Sequence, residues 1–482
     1  MNQTSLIASL LAPPSPNGAE LTSLPASVQW LEVRADLVGD LDADWLRDHF
    51  RGGLIYSFAE NSVAGGSLAG DSIARQQRLI AAAAKYDRVE LDADRDFTPE
   101  LLSQVPQEKR IVAWHGHVTN SSELRERFDQ VSAVPANLYK LVTKSERIGE
   151  EFLPLWLLKS LRRTDTIAYA QGTLGFWTRL VALQLGAPAI YGAAATNAVF
   201  EPTVVKLIDD YGLPEVTPVK ELFAIIGNPV FHSLSPRLHN ASYRAMKYPA
   251  LFVPLHVDSF DEFWREFVLS KTLDAIGFPI NGMTVASPHK ERALQAATNV
   301  SAMARQAEAA NILVRNNGWW NADTTDPDVV YAAKQERSVS VSEKRAAVIG
   351  CGGAGRAIAA ALVASGAGVT LINRGAERGE HAAALLGLDY VPLPDFDAQG
   401  YDIVVNATPV GRDTDEIPFK IERLNNEAVV IDLVYGSRTT PLIGGTRARS
   451  QVAIDGRDVL LTQVRHQFQM MTGQEMPDAI SV

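Results

Sequence analysis

Gly350, Gly352 and Gly355 stand in G-x-G-x-x-G spacing within AAVIGCGGAGRAIAAAL, between an apolar run and an alanine-rich helical stretch. In that context the first glycine permits a tight turn, the second lets backbone approach a pyrophosphate, and the third lets the helix pack closely. Phosphate then meets the positive helix amino end. The loop residues Gly350, Gly352, Gly353, Ala354 and Gly355 are therefore expected to cradle a dinucleotide. A bare glycine pattern also describes a structural turn, so the flanking strand and helix carry the argument. After the next strand, 368–372, Asn373 and Arg374 occupy the place where an NAD site carries Asp or Glu. A guanidinium there binds a 2′-phosphate bidentately, with Arg378 as a second charge, so NADP is the expected cofactor.

A second constellation lies earlier. Arg34, His115, Lys140 and Arg179 fall near the ends of successive β-rich runs. Lys140 sits among Leu138, Leu141 and Val142, surroundings expected to lower its pKa and leave a free amine to attack a ketone. The resulting imine is an electron sink, and His115 is suited to remove the adjacent proton and protonate a departing hydroxyl. A lysine snorkelling to solvent and a structural histidine are the alternatives.

These residues need a scaffold. Residues 1–218 alternate short β-rich runs with helical stretches, and eight strands are expected near 6–10, 28–34, 54–58, 88–91, 110–115, 138–142, 166–169 and 189–191. Closed into a (β/α)₈ barrel, they would place chemistry at their carboxyl ends. Gly212, Pro214 and Pro218 break the helical pattern and mark a domain boundary. The fold class is thus α/β throughout: a barrel over 1–218, then a two-lobed unit over 219–482. Its parts are a substrate lobe at 219–333, a Rossmann lobe at 334–455 and a returning helix at 456–482.

The composition sets limits. At 482 residues the chain exceeds one core, and 46% hydrophobic with 21% charged residues is an ordinary globular profile. A net charge of −11 argues against nucleic acid or acidic membranes as partners and leaves small-molecule substrates. The single cysteine, Cys351, forms no intrachain disulfide and fits a cytoplasmic enzyme. The apolar patch near the start lacks a preceding basic region, so no signal peptide is expected. The run 357–372 is interrupted by Ser365, Gly366 and Gly368 and is too short to span a bilayer. No ligand cluster has metal spacing.

From Phe223 the chain reads FAIIGNPVFHSLSPRLHN, which resembles the amino-terminal signature of shikimate dehydrogenases. The resemblance implies that Ser233 and Ser235 bind a substrate carboxylate, where the residues alone would suggest a helix cap. It continues through MTVASPHKE, AANILV and WNADTTDPD, implying Lys290 as the catalytic lysine, Asn311 as a substrate ligand and Asp326 as the partner of Lys290. A Lys–Asp pair suits proton relay at an alcohol oxygen. VVNATPVG, DLVYGSRTTPL and DGRDVLLTQVRHQF extend it, implying Asn406 near the cofactor, Tyr435 positioning substrate or nicotinamide, and Gln463 reaching a substrate hydroxyl. Departures are Thr284-Val285-Ala286 in place of Asn-Val-Thr, Phe231 where glycine is common, and Thr324 for asparagine. They point toward weaker binding or a shift to a related polyol acid such as quinate.

The preceding barrel resembles the type I 3-dehydroquinate dehydratase that is fused ahead of shikimate dehydrogenase in plants. Glu32 and Arg34 match an E-x-R pair, His115 the catalytic histidine, Lys140 the imine-forming lysine and Arg179 the carboxylate-binding arginine. Ala59 and Ala64 replace an arginine and a glutamate, with Glu60 beside them, and Asn197 and Glu201 replace a serine and a glutamine. The chain is therefore expected to act in aromatic amino-acid biosynthesis, dehydrating 3-dehydroquinate and reducing 3-dehydroshikimate to shikimate. A weak or inactive barrel, and a quinate-pathway sensor, are the alternatives.

Overall fold

The computed structural model describes residues 4–58, 72–195, 201–337, 339–436 and 438–481. They pack as two compact units, one of Met1–Glu221 with Glu262–Pro279, the other of Leu222–Asp261 with Ile280–Val482.

In the first unit eight strands form one sheet: β1 (Ser5–Leu10), β2 (Trp30–Arg34), β3 (Gly53–Ser57), β4 (Arg88–Asp92), β5 (Arg110–Gly116), β6 (Leu138–Lys144), β7 (Thr166–Gln171) and β8 (Ala189–Ala193). Each pairs in parallel with the next up to β7, and β8 lies parallel beside β1, giving a nearly closed barrel. The expected runs fall on these strands because β-branched and apolar residues alternate with what faces the interior. Ile7, Ile55, Ile111, Leu138, Val142, Ile167, Tyr169 and Tyr191 form one buried cluster. Ala59, Glu60, Ala64 and Asn197 lie outside the described residues.

The second unit contains two sheets. The first comprises β9 (Glu221–Gly227), β10 (Ala250–His256), β11 (Ile280–Val285), β12 (Asn299–Val300), β13 (Ile312–Asn316) and β14 (Trp319–Asp323), in the order β10-β9-β11-β13-β14-β12. β9 and β11 run parallel, while β13 and β14 form an antiparallel hairpin turning at Asn317-Gly318. The second comprises β15 (Arg345–Ile349), β16 (Gly368–Asn373), β17 (Asp389–Pro392), β18 (Ile403–Asn406), β19 (Val429–Asp432) and β20 (Ala453–Ile454). Its parallel order β17-β16-β15-β18-β19-β20 is the doubly wound 3-2-1-4-5-6 arrangement, whose switch point between β15 and β18 is where such sheets bind ligands. Ala346 and Val348 pack on one face of this sheet and Ala347 and Ile349 on the other, as expected of a strand covered on both sides.

The helix Gly353–Ala364 starts directly after β15. A Cβ on Gly355 would lie 1.7 Å from the Gly350 carbonyl oxygen, so no larger residue fits that crossing. Gly350 itself has φ 105°, a conformation glycine supplies without strain. Gly355→Ala is expected to cost about 1–3 kcal/mol of stability through overpacking, read as a lowered denaturant midpoint. A wild-type midpoint would show that the turn relaxes freely.

Candidate active sites

The barrel encloses a cavity of about 230 Å³ whose lining includes Ser9, Glu32, Arg34, Ser57, Glu90, His115, Lys140, Tyr169, Tyr191 and Glu201. Strand alternation aims Glu32, Glu90 and Lys140 inward from β2, β4 and β6, and all three are buried. Lys140 Nζ lies 2.7 Å from Glu90 Oε2 and 3.6 Å from Glu32 Oε1, and 4.4 Å from the centre of the Tyr191 ring. Glu32 also accepts a 2.5 Å bond from the Ser9 hydroxyl, and the Ser57 hydroxyl donates to Glu90 at 3.3 Å. His115 Nε2 stands 3.8 Å from Glu90 Oε1, with its ring part-exposed at the cavity.

This geometry corrects the expected state of Lys140. Burial does disfavour its charge, but Glu90 and then Glu32 outweigh that and hold its pKa well above the ordinary lysine value. Glu90 shows the reciprocal effect: burial pushes its carboxyl up, yet the Lys140 ammonium and the His115 imidazole hold it below the ordinary carboxylate range. The lysine at rest is an ammonium, and Glu90 is the group placed to take its proton. Glu90 was not singled out from the sequence. Its signal was a lone carboxylate between Val89 and Leu91 in a buried strand, which has to face inward among other polar groups.

The two arginines are placed differently from one another. Arg34 makes a two-point bond to Asp36, at 2.9 and 2.7 Å, which engages Nε and one terminal nitrogen. Arg179 donates to the Tyr191 carbonyl at 3.2 Å, lies over the Tyr169 ring and approaches Glu201 at 3.7 Å.

In the second unit Lys290 opens the helix Lys290–Ala296, and its Nζ lies 2.7 Å from Asp326 Oδ2. The other carboxylate oxygen accepts from Asn311 at 3.1 Å and from Gln463 at 3.3 Å. Asn311 is itself locked by the Thr325 amide at 2.8 Å, and Gln467 donates to the Thr325 hydroxyl at 2.8 Å. Three sequence-distant segments therefore fix one carboxylate. Ser233 and Ser235 are buried at the start of the helix Ser235–Met246, and the half-buried Tyr435 bonds Ser233 through its hydroxyl. Thr284 is buried with its hydroxyl unbonded among the described residues, so the threonine at that position brings no local partner for its own oxygen.

The glycine loop meets this site. A Cβ on Gly353 would lie 3.3 Å from Lys290 Cβ and 2.6 Å from Ala309 Cβ, so the loop packs directly on the lysine helix. Arg356, also missed from the sequence, is buried and bonds the carbonyls of Ala307 at 2.8 Å and Cys351 at 3.2 Å and the Glu291 carboxylate at 2.8 Å. An arginine in the otherwise alanine-rich GRAIAAAL was the available signal. Gly352 has no atom within 4 Å of its Cβ position, which leaves the loop open to a phosphate. Asn373 accepts from the Cys351 amide at 3.2 Å and donates to the Gly375 carbonyl at 2.7 Å, joining the loop to the end of β16. Arg374 and Arg378 are exposed, with no ion pair or hydrogen bond among the described residues. Asn406 turns its side chain inward onto Asp432 at 2.9 Å and Thr408, so it shapes the loop after β18 rather than facing the cleft.

Comparison with known proteins places these features in families. Residues 225–313 match the shikimate dehydrogenase substrate binding domain, 15–213 match type I 3-dehydroquinase, and 297–436 match the NAD binding domain of D-isomer specific 2-hydroxyacid dehydrogenases. A shikimate dehydrogenase (NADP(+)) of Syntrophobacter fumaroxidans is 35% identical over 55% of this chain and 91% of its own. The chain belongs to the shikimate dehydrogenase family. The crystal structure of the Aquifex aeolicus shikimate dehydrogenase aligns at TM-score 0.50 and 30% identity, over 54% of this chain and 96% of that one. A bifunctional 3-dehydroquinate dehydratase/shikimate dehydrogenase of Arabidopsis thaliana is 26% identical over 92% of this chain and 79% of its own, so that relative spans both the barrel and the family domain. Among the described residues no group of three or more His, Cys, Asp or Glu side chains is arranged to hold a metal, and no helix is long and apolar enough to cross a membrane.

The buried pair in the barrel makes a stability prediction. Glu90→Gln is expected to destabilise by about 3–5 kcal/mol by stranding an ammonium, toward the lower end because Glu32 remains 3.6 Å away. Adding Lys140→Met should recover most of the loss. Because the folded pKa of Glu90 is depressed, the pair's contribution is complete above the unfolded carboxylate value of about 4.3 and is lost as pH falls through the folded value. Denaturation curves of wild type and Glu90→Gln should therefore converge in acid. A constant gap down to the lowest pH would show that the pair is not what the mutation removes.

Proposed function

We propose that the chain dehydrates 3-dehydroquinate in its barrel and reduces 3-dehydroshikimate to shikimate in its second unit, with NADPH as reductant. The observation that carries the reading is Lys290, 2.7 Å from Asp326 and packed against Gly353 of the glycine loop, which puts a proton-donating pair beside a nucleotide cradle. The type I 3-dehydroquinase match over 15–213 and the bifunctional Arabidopsis relative support the barrel's part.

The residues present fit the cofactor. Gly350 to Gly355 and the helix they open form an anion seat, and Arg374 and Arg378 offer uncommitted charge for a 2′-phosphate. A dinucleotide held there would supply the hydride for the ketone carbon. Ser233 and Ser235 hold the substrate carboxylate, with Tyr435 fixing the Ser233 hydroxyl. Asn311 and Gln463 orient Asp326, which in turn holds Lys290 so that its ammonium donates a proton to the developing alkoxide.

In the barrel Lys140 passes its proton to Glu90 and attacks the substrate ketone, expelling water as the imine forms. His115 takes the proton next to the imine carbon and returns one to the departing hydroxyl. Hydrolysis of the imine frees 3-dehydroshikimate and the lysine. A second reading, a slow barrel, is favoured by Arg34 being tied to Asp36 and Arg179 lying close to Glu201. With its single cysteine buried, we place the enzyme in the cytoplasm, acting on small molecules rather than nucleic acid. We assign residues 1–218 to the dehydratase and 219–482 to the dehydrogenase, with 219–333, 334–455 and 456–482 as substrate lobe, nucleotide lobe and returning helix.

Lys290→Ala and Asp326→Asn are each expected to cut dehydrogenase turnover by at least about a hundredfold, the lower range for acid–base groups, while NADPH still binds. Near-normal turnover in either would remove the pair from the mechanism. Arg374→Ala should raise the KM for NADPH and leave NADH nearly unchanged; equal losses with both would assign Arg374 to the fold. Borohydride added with 3-dehydroquinate should leave a covalent mass increment on Lys140, absent from Lys140→Ala. A wild-type chain left unmodified at saturating substrate would sink the dehydratase half of the reading.

A further inference from the structure

Arg179 is almost fully buried beside the barrel cavity, against three of the residues that line it, Tyr169, Tyr191 and Glu201. Its side chain is 2% exposed. One terminal nitrogen donates to the Tyr191 carbonyl at 3.2 Å, the guanidinium lies 4.8 Å from the centre of the Tyr169 ring, and Nε has no hydrogen-bond partner among the described residues. The charged group closest to it is Glu201, whose Oε1 is 3.7 Å from the other terminal nitrogen. That distance makes an ion pair but not a hydrogen bond.

The rest of the cavity explains why this contact matters. Arg34, the other guanidinium, commits Nε and one terminal nitrogen to Asp36. Lys140 is shared between Glu90 and Glu32. Glu201 lines the cavity while Arg179 is enclosed beside it, and one terminal nitrogen of Arg179 makes no hydrogen bond among the described residues, so a carboxylate taking the place of Glu201 would find a donor there. The two partners differ in freedom: the Glu201 side chain is 34% exposed and reaches solvent, whereas Arg179 is enclosed. Glu201 can leave, and Arg179 cannot.

We propose that Glu201 is an internal occupant of the carboxylate seat at Arg179, which a substrate carboxylate must displace in order to bind. The inference rests on the dehydratase reading of the barrel and adds the residue that sets its affinity for anionic substrate. Glu201 lowers the affinity of the seat for every small carboxylate, because each must meet or replace a like charge beside the Arg179 guanidinium. The bound state then has the substrate carboxylate on Arg179 and the Glu201 carboxylate turned to water. Glutamine at this position keeps the length and the amide's hydrogen-bonding capacity but removes the competing charge.

The test uses the full chain. Glu201→Gln should lower the KM for 3-dehydroquinate by about tenfold, ~1.4 kcal/mol, with the change in KM rather than kcat. Made in an Arg179→Ala background, the same substitution should have little effect, since the contested cation is gone. A second measurement does not depend on turnover: calorimetric binding of 3-dehydroquinate to Lys140→Met and to Lys140→Met/Glu201→Gln, in which the dehydrogenase half contributes equally and cancels. Tighter binding in the double variant supports the proposal, and equal or weaker binding overturns it. If wild type shows no dehydration while the double variant binds more tightly, the dehydratase reading fails and the occupied seat stands. If dehydration proceeds and Glu201→Gln leaves KM unchanged or raises it, the seat proposal fails alone.

Discussion

An ammonium group taken out of water has to find a carboxylate, and both halves of this chain are arranged around that requirement. Lys140 in the barrel and Lys290 in the second unit each lie 2.7 Å from one carboxylate oxygen. Leaving either lysine without its partner would cost several kcal/mol. The strands and helices that deliver Glu90 and Asp326 are therefore constrained in register as well as in identity. The same carboxylates hold each nitrogen at a defined point in its cavity, which is what positioned acid–base and nucleophilic chemistry needs.

The two pairs differ in surroundings, and the difference matches their tasks. Lys140 is 4% exposed and faces two carboxylates, so its proton is strongly held at rest and has to be handed over before the amine can attack. Lys290 has an 18% exposed side chain and a single carboxylate partner, which suits a group that gives a proton to substrate and recovers it from solvent. Asp326 is the more enclosed member there, and Asn311 and Gln463 use up its second oxygen so that the first stays with the lysine.

A further constraint ties the nucleotide loop to the lysine. Gly353 packs on Lys290 and leaves no room for a Cβ against Ala309, and Arg356 bridges the loop to Ala307 and Glu291. A guanidinium satisfied by three carbonyls and a carboxylate is well suited to a buried joint, since its donors point in fixed directions. Loop and catalytic pair are thereby held as one piece. In the barrel the corresponding economy is electrostatic: among the described residues at and beside the cavity, Glu32, Asp36, Glu90 and Glu201 stand against Arg34, Lys140 and Arg179.

Residue type and local order determined much of this protein by themselves. The eight barrel strands, the strand-glycine-helix turn and the order of motifs from Ser233 to Gln463 are properties of short segments, because alternation, turn chemistry and motif spacing act over a few residues. Lys290 and Asp326 were legible as partners through the resemblance, and their 2.7 Å contact agrees with it. What only the tertiary structure decided is where distant side chains meet. Lys140 looked like a desolvated amine among Leu138, Leu141 and Val142, since those are its sequence neighbours. In a strand, however, neighbours point to alternate faces, and the group that sets its charge is Glu90, 50 residues earlier on a strand two places away. Arg34 and Arg179 read alike in sequence, yet Asp36 holds one with a two-point bond and Glu201 contests the other. Charge state depends on distance and burial together, and both are fixed only when the sheet has closed far enough to bring its inward faces into one cavity.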